Sequence, residues 1–380
     1  MTVVDCDFPG GNIILDAIEG DVIAVHQDLR DTEGDWFYWH FRVRGAAGRP
    51  LTVRFTQSDV IGVRGPAVST DGGKRWQWLG AGSVDGQSFQ YQVPAHAGEV
   101  RFSFGMPYLE ADLKAFLQRH SGSPYLESGV LCTTRGGRST ELLRLGRLDG
   151  NCDHRVLLTC RHHCCEMMAS YSLEGIMETV LADLEVGEWF RRHVEFLVVP
   201  FVDKDGVENG DQGKNRRPHD HNRDYGGTSS ADSIYPSVHA LRELMPQWSG
   251  GRLRFALDMH CPHIRGEHNE VIYFVGGPDQ EIWGRVVRFS EILETVQAGP
   301  LTFAATNNLP FGQAWNTAAN LHGGKSFGRW AVELPGIYVG TGIEIPYANA
   351  SGAAVTAETA RALGHDLARA LYRFLEGVVY

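Results

Sequence analysis

The chain has 380 residues, 43% of them hydrophobic and 21% charged, with a formal net charge of −11, and it is long enough for two domains with ordinary cores. The acidic balance argues against a general binder of nucleic acid or anionic membrane, both of which demand basic surface, and no apolar run approaches the ~20 residues of a membrane-spanning helix. The opening MTVVDCDFPGG has neither the basic nor the apolar region of a secretory signal. The seven cysteines, odd in number and scattered apart from Cys164-Cys165, suit reduced thiols in a cytoplasm better than a disulfide framework.

Residues 1–110 read as an all-β sandwich domain. Aromatic and β-branched runs at 36–44, 51–57, 88–93 and 99–105 predict strands. Turn-forming clusters at 31–34, 45–50, 71–74 and 95–98 separate them. Residues 111–380 change rhythm. Nearly continuous apolar runs at 155–160, 194–201, 253–259, 270–275 and 329–334 predict strands covered on both faces, and helical patterns occupy 167–184, 237–244, 280–296 and 357–375. The alternation predicts an α/β domain with helices on both faces of its sheet. Residues 208–230 form a Gly- and Asn-rich loop of the length that often carries function.

Chemistry-bearing residues collect at the predicted strand ends. In Arg161-His162-His163-Cys164-Cys165-Glu166, a tight turn after the first α/β strand can aim His163 and Glu166 inward, and an imidazole with a carboxylate suits Zn²⁺. His162 competes with His163 for that place. His260 closes the predicted strand at 253–259, where open α/β sheets place their ligands, and Asp258 two residues back can orient it. Glu333 ends the apolar run at 329–334. A carboxylate there needs a partner, either a metal-bound water or Arg329. Three protein ligands, a water and a nearby non-ligand Glu form the pattern of catalytic zinc, in which the Glu moves the water's proton. The run 214–223 concentrates positive charge in an acidic chain and reads either as a carboxylate-binding loop or as a solvated basic one.

In that order and with those neighbours, His163-Cys164-Cys165-Glu166, His260 and Glu333-Leu334-Pro335 resemble the zinc carboxypeptidase family of the carboxypeptidase A type. The stretch 199–206 looks like that family's strand and turn, and Asp220-His221-Asn222-Arg223 like its Asn-Arg element. The resemblance implies one zinc ion on His163, Glu166 and His260, with Glu333 as general base. It further implies Asn222 and Arg223 gripping the substrate's terminal carboxylate. Arg216 becomes the oxyanion donor, with Arg217 as its rival. Trp36-Phe37-Tyr38, residues 69–76 and residues 104–108 also look like the β-domain that precedes the catalytic domain in cytosolic carboxypeptidases.

The chain departs from the family at Cys164-Cys165, where Pro-Gly is usual, and at His221, where Leu is common. No tyrosine lies in 308–327 to cap the substrate. The expected activity is hydrolysis of the C-terminal peptide bond of a peptide or protein, with no nucleic-acid or membrane partner. An amidohydrolase of small N-acyl amino acids on the same scaffold is the alternative. Lys325 and Arg329 lie where the family shapes its side-chain pocket and point to an acidic C-terminal residue, unless Arg329 is paired and Lys325 solvated.

Overall fold

The computed structural model describes residues 1–34 and 36–377. Residues 3–103 build two five-stranded sheets. One carries Val3–Asp5, His40–Arg44, Glu99–Ser103, Ala67–Ser69 and Gln77–Trp78, and the other Ile14–Glu19, Val22–His26, Pro50–Phe55, Ser88–Gln92 and Val84–Asp85. Along His40–Arg44, Glu99–Ser103, Pro50–Phe55 and Ser88–Gln92 alternate side chains point inward, so Phe41, Phe102 and Val100 of one sheet meet Val53, Phe55 and Phe89 of the other. Phe89 and Phe102 touch across the gap with ring centroids 5.1 Å apart.

A seven-stranded mixed sheet follows, in the order Leu126–Thr133, Ser139–Gly146, Val194–Val199, His154–Cys160, Leu253–His260, Val339–Glu344 and Tyr273–Val275. The four central strands run parallel, and the flanking pairings are antiparallel. Both faces are covered. Met167–Leu181, Gln280–Val296 and Ala357–Glu376 pack on the face that carries Val156, Leu158, Phe255 and Leu257. On the opposite face, Pro236–Ser249 and Phe327–Ala331 pack against Leu157, Leu197 and Ala256. A β sandwich followed by a mixed α/β sheet is the expected fold class, and the parallel strands bring their C-terminal ends to one edge, where ligands bind in such sheets.

The structure corrects several element boundaries. The run at 329–334 is not a strand: residues Phe327–Ala331 form a short helix, with the Ser326 side chain accepting from the Arg329 amide. The strand that completes the central sheet is Val339–Glu344 instead. The expected strand at 270–275 shortens to Tyr273–Val275, and that at 36–44 to His40–Arg44. Two hairpins escape the sequence reading, Ile14–Glu19 with Val22–His26 and Leu126–Thr133 with Ser139–Gly146.

Candidate metal centre and substrate cavity

The His154–Cys160 strand ends in a turn held by an unusual residue. Arg161 adopts φ +63, a conformation that costs a non-glycine residue roughly 1–3 kcal/mol, and its buried guanidinium offsets the strain. Nε donates to the Cys164 carbonyl at 2.8 Å, and Nη1 donates to the Tyr108 carbonyl at 2.9 Å and to Ser170 Oγ at 3.1 Å. The turn thereby folds His163 over Glu166, with His163 Nδ1 2.9 Å from Glu166 Oε1. From the neighbouring strand end, His260 Nδ1 reaches Glu166 Oε2 at 2.7 Å. Candidate ligand atoms of His163, Glu166 and His260 all lie within 4.8 Å of one another, and Glu166 is fully buried.

Carboxylates behind the two imidazoles set their orientation. His260 Nε2 lies 2.5 Å from Asp258 Oδ2, and His163 Nε2 faces Asp220 Oδ1 at 3.6 Å. An Nε2–H donated to Asp258 would leave the His260 Nδ1 lone pair for a metal, the backing that metal-ligating histidines use. His162, Asp258 and His260 also form a trio within ligating distance. Both ring nitrogens of His162 are already engaged, however, Nδ1 with Asp258 Oδ1 at 2.8 Å and Nε2 with the Tyr225 hydroxyl at 2.7 Å. His163 therefore faces the cluster, and His162 stands behind it. Burial pushes Glu166 upward, but Lys214, His163 and His260 outweigh it and hold the carboxyl well below its usual range.

Glu333 is not part of this cluster. Just past the short helix, its half-exposed carboxylate is occupied by Lys325, whose Nζ donates to Oε1 at 2.8 Å and Oε2 at 3.0 Å. The carboxylate at the cluster belongs to Glu344, the last residue of its strand and the register partner of His260. Glu344 is 8% exposed, and its Oε2 is buried with no hydrogen-bond partner among the described residues. Burial, only partly countered by His260 and Lys214, raises it to about 7.

Asn222 and Arg223 occupy the turn His221–Arg223, which Asp220 caps by accepting from the Asn222 amide at 2.9 Å. The Asn222 side chain accepts from the Phe327 amide at 2.9 Å, and its Nδ2 lies 3.3 Å from His260 Nε2. Among the described residues the Arg223 side chain donates only to carbonyls, those of Asn222 and Asn320. Arg223 lines a cavity of about 380 Å³ together with His163, His260, Arg329 and Glu344. Among the described residues neither Arg223 nor Arg329 forms an ion pair, while Lys325 does. Arg329 instead stacks over Phe311, 4.6 Å from the ring centroid.

Arg216 is committed elsewhere. Nε, Nη1 and Nη2 each meet a different carboxylate: Asp31 at 3.0 Å, Asp203 at 2.6 Å and Asp211 at 3.2 Å. Its rival Arg217 is solvent-exposed and pairs with Glu33. The cation that does reach the cluster is Lys214, which the sequence reading passed over within the same basic run. Its Nζ lies 2.7 Å from Glu166 Oε1 and donates to the Cys261 carbonyl at 3.2 Å. Burial works against its charge, but Glu166 more than compensates and raises its pKa.

The chain has the fold of the metallo-carboxypeptidases. A metallo-carboxypeptidase from Burkholderia cenocepacia superposes with a TM-score of 0.78 over 99% of both chains at 19% identity. One from Pseudomonas aeruginosa, in complex with (2-guanidinoethylmercapto)succinic acid, superposes with a TM-score of 0.74 over 98% of this chain and 99% of the other at 22% identity. No protein-family model matches. In sequence its relatives are cytosolic carboxypeptidases. Cytosolic carboxypeptidase 6 of Caenorhabditis elegans is 20% identical over 274 residues, 65% of this chain and 58% of that protein. Human cytosolic carboxypeptidase 1 is 25% identical over 226 residues, 54% of this chain and 18% of that protein. The chain thus spans less than two thirds of these relatives' own length.

Proposed function

We propose that the protein is a zinc-dependent carboxypeptidase that removes the C-terminal residue of a peptide or protein, with Glu344 in the role that the sequence alone assigned to Glu333. The observation that carries this reading is the unpartnered Oε2 of Glu344 beside the His163–Glu166–His260 cluster. Leaving a buried polar atom unpaired costs about 1–3 kcal/mol, and a site built to hold a reactive water explains why the cost is tolerated. Two imidazoles and one carboxylate suit zinc in its open, catalytic form. Bound there, zinc would supply Lewis acidity to the scissile carbonyl and acidity to a water.

The chain's own residues supply the rest. Asn222 and Arg223 hold the terminal carboxylate, for which a guanidinium without an acidic partner is the fitting fork. Glu344, its pKa raised to about 7 by burial, takes a proton from the attacking water and hands it to the leaving amine, a transfer that favours a base poised near neutrality. Lys214 replaces Arg216 as the donor to the oxygen that gains charge. The boundary between residues 1–110 and 111–380 divides the sandwich from the domain that carries these side chains. Free cysteines throughout and relatives named cytosolic support a cytoplasmic location.

The test is a panel of peptides with free and amidated C-termini, together with N-acetyl amino acids, assayed on zinc-loaded protein. Release of the last residue only where its carboxylate is free is expected. Equal turnover of the amides, or activity confined to N-acyl amino acids, would replace the carboxypeptidase reading with an amidohydrolase.

A further inference from the structure

Lys214 sits in a segment, residues 210–220, that has neither helix nor strand, yet an oxyanion donor acts only if it is held in place before charge develops. The long, flexible lysine stem makes that requirement harder to meet than it is for arginine. What holds the segment comes largely from the N-terminal sandwich. Asp31 Oδ1 accepts from the Gln212 amide at 3.0 Å, and Oδ2 from the Gly213 amide at 2.8 Å and from Arg216 Nε at 3.0 Å. One carboxylate thus fixes the backbone just before Lys214 and the side chain just after it.

Neighbouring residues reinforce the hold. The Thr32 hydroxyl donates to the Lys214 carbonyl itself. The amides of Phe37 and Tyr38 donate to Gln212 Oε1 at 3.1 and 2.8 Å, while Gln212 Nε2 reaches Cys165 Sγ, one residue before Glu166, at 3.1 Å. Lys214 Nζ lies 5.7 Å from the centroid of the Trp36 ring. There is no slack on the far side: Gly213 has φ +80, and a Cβ there would meet the Cys164 amide nitrogen at 2.5 Å.

We infer that Asp31 is a positioning residue for catalysis, and that the N-terminal sandwich completes the active site by locking the segment that presents Lys214. The inference rests on the proposed oxyanion role of Lys214, and the experiment separates the two. In the full-length protein, Lys214→Met is expected to lower kcat by about 10²–10³-fold, the scale of a lost oxyanion donor. Asp31→Ala is expected to lower kcat by at least about tenfold with KM and zinc content unchanged, as loss of an interaction made only in the transition state requires. It should also weaken a phosphonate transition-state analogue by the same factor, while leaving the affinity for the free C-terminal amino acid intact.

In a Lys214→Met background, Asp31→Ala should cost less than about twofold, because residues acting through one another are not additive. Thr32→Val, a milder change, should repeat the pattern at smaller size and serves if Asp31→Ala does not fold. An unchanged kcat in Lys214→Met would overturn the oxyanion role and the inference with it. An equal cost of Asp31→Ala with and without Lys214, or a loss that follows zinc content or melting temperature, would overturn the positioning role alone.

Discussion

Glu344 stands opposite His260 in the parallel pairing of the two strands that end at the His163–Glu166–His260 cluster. Because register fixes which strand ends share an edge, a carboxylate and an imidazole on adjacent parallel strands are delivered to the same spot without a loop between them. Glu333, eleven positions earlier in the chain, is carried to the outer wall of the cavity and meets Lys325 instead.

The metal site should respond in a graded way. His163→Ala is expected to lose zinc while the fold survives, because the side chain sits at a strand end outside the hydrophobic core. Asp258→Asn and His162→Ala, one shell further out, should keep the stoichiometry but weaken affinity by about 10–100-fold. Chelator competition followed by elemental analysis reads both effects. Full zinc retention by His163→Ala would move the ligand role to His162.

The cavity should favour an acidic terminal residue. Arg329 stacks on Phe311 and has no acidic partner among the described residues, and beside Arg223 it presents a second cation to whatever enters. Comparing kcat/KM for peptides ending in Glu, Ala, Phe and Lys should rank Glu first, and Arg329→Ala should erase most of that advantage by raising KM. Lys325→Ala should matter less, since Lys325 already serves Glu333. An acidic preference that survives Arg329→Ala would assign selectivity elsewhere.

Stability should carry the mark of Asp211. Burial raises its pKa to about 7, and Asp31 and Asp203, which compete for the same Arg216, push in the same direction. A carboxyl raised in the folded state favours folding below its unfolded pKa and loses that contribution as pH climbs toward 7. Asp211→Asn should therefore flatten the decline in melting temperature between about pH 4 and 7 and leave the variant more stable than the parent at pH 8. Thermal melts across pH test it; parallel curves for the two proteins would contradict it.

Much of this was legible in the sequence, for reasons that also explain what was not. His163, Glu166 and His260 follow apolar runs that tertiary context left as strands, so their position at strand ends could be read directly. The run at 329–334 is similarly apolar but became the end of a short helix and a turn, while the real strand at Val339–Glu344 contains two glycines and so reads as a poor one. The structure shows what one of them is for. A Cβ on Gly340 would come within 2.8 Å of the Val332 side chain, so only glycine lets the chain just past the short helix lie close on this strand. Lys214 and Arg216 stand two apart in one basic run. Only the three acids around Arg216, two of them distant in sequence or supplied by the sandwich, decide which cation remains for the site.

The most direct measurement compares Glu344→Gln with Glu333→Gln, each purified with its zinc content determined, on a peptide with a free C-terminus. Removing the base while keeping its shape should lower kcat of Glu344→Gln by about 10²–10⁴-fold with zinc unchanged, whereas Glu333→Gln should stay within a few-fold of the parent. A Glu344→Gln enzyme that turns over normally, or a Glu333→Gln enzyme that is the one to fail, would contradict the account.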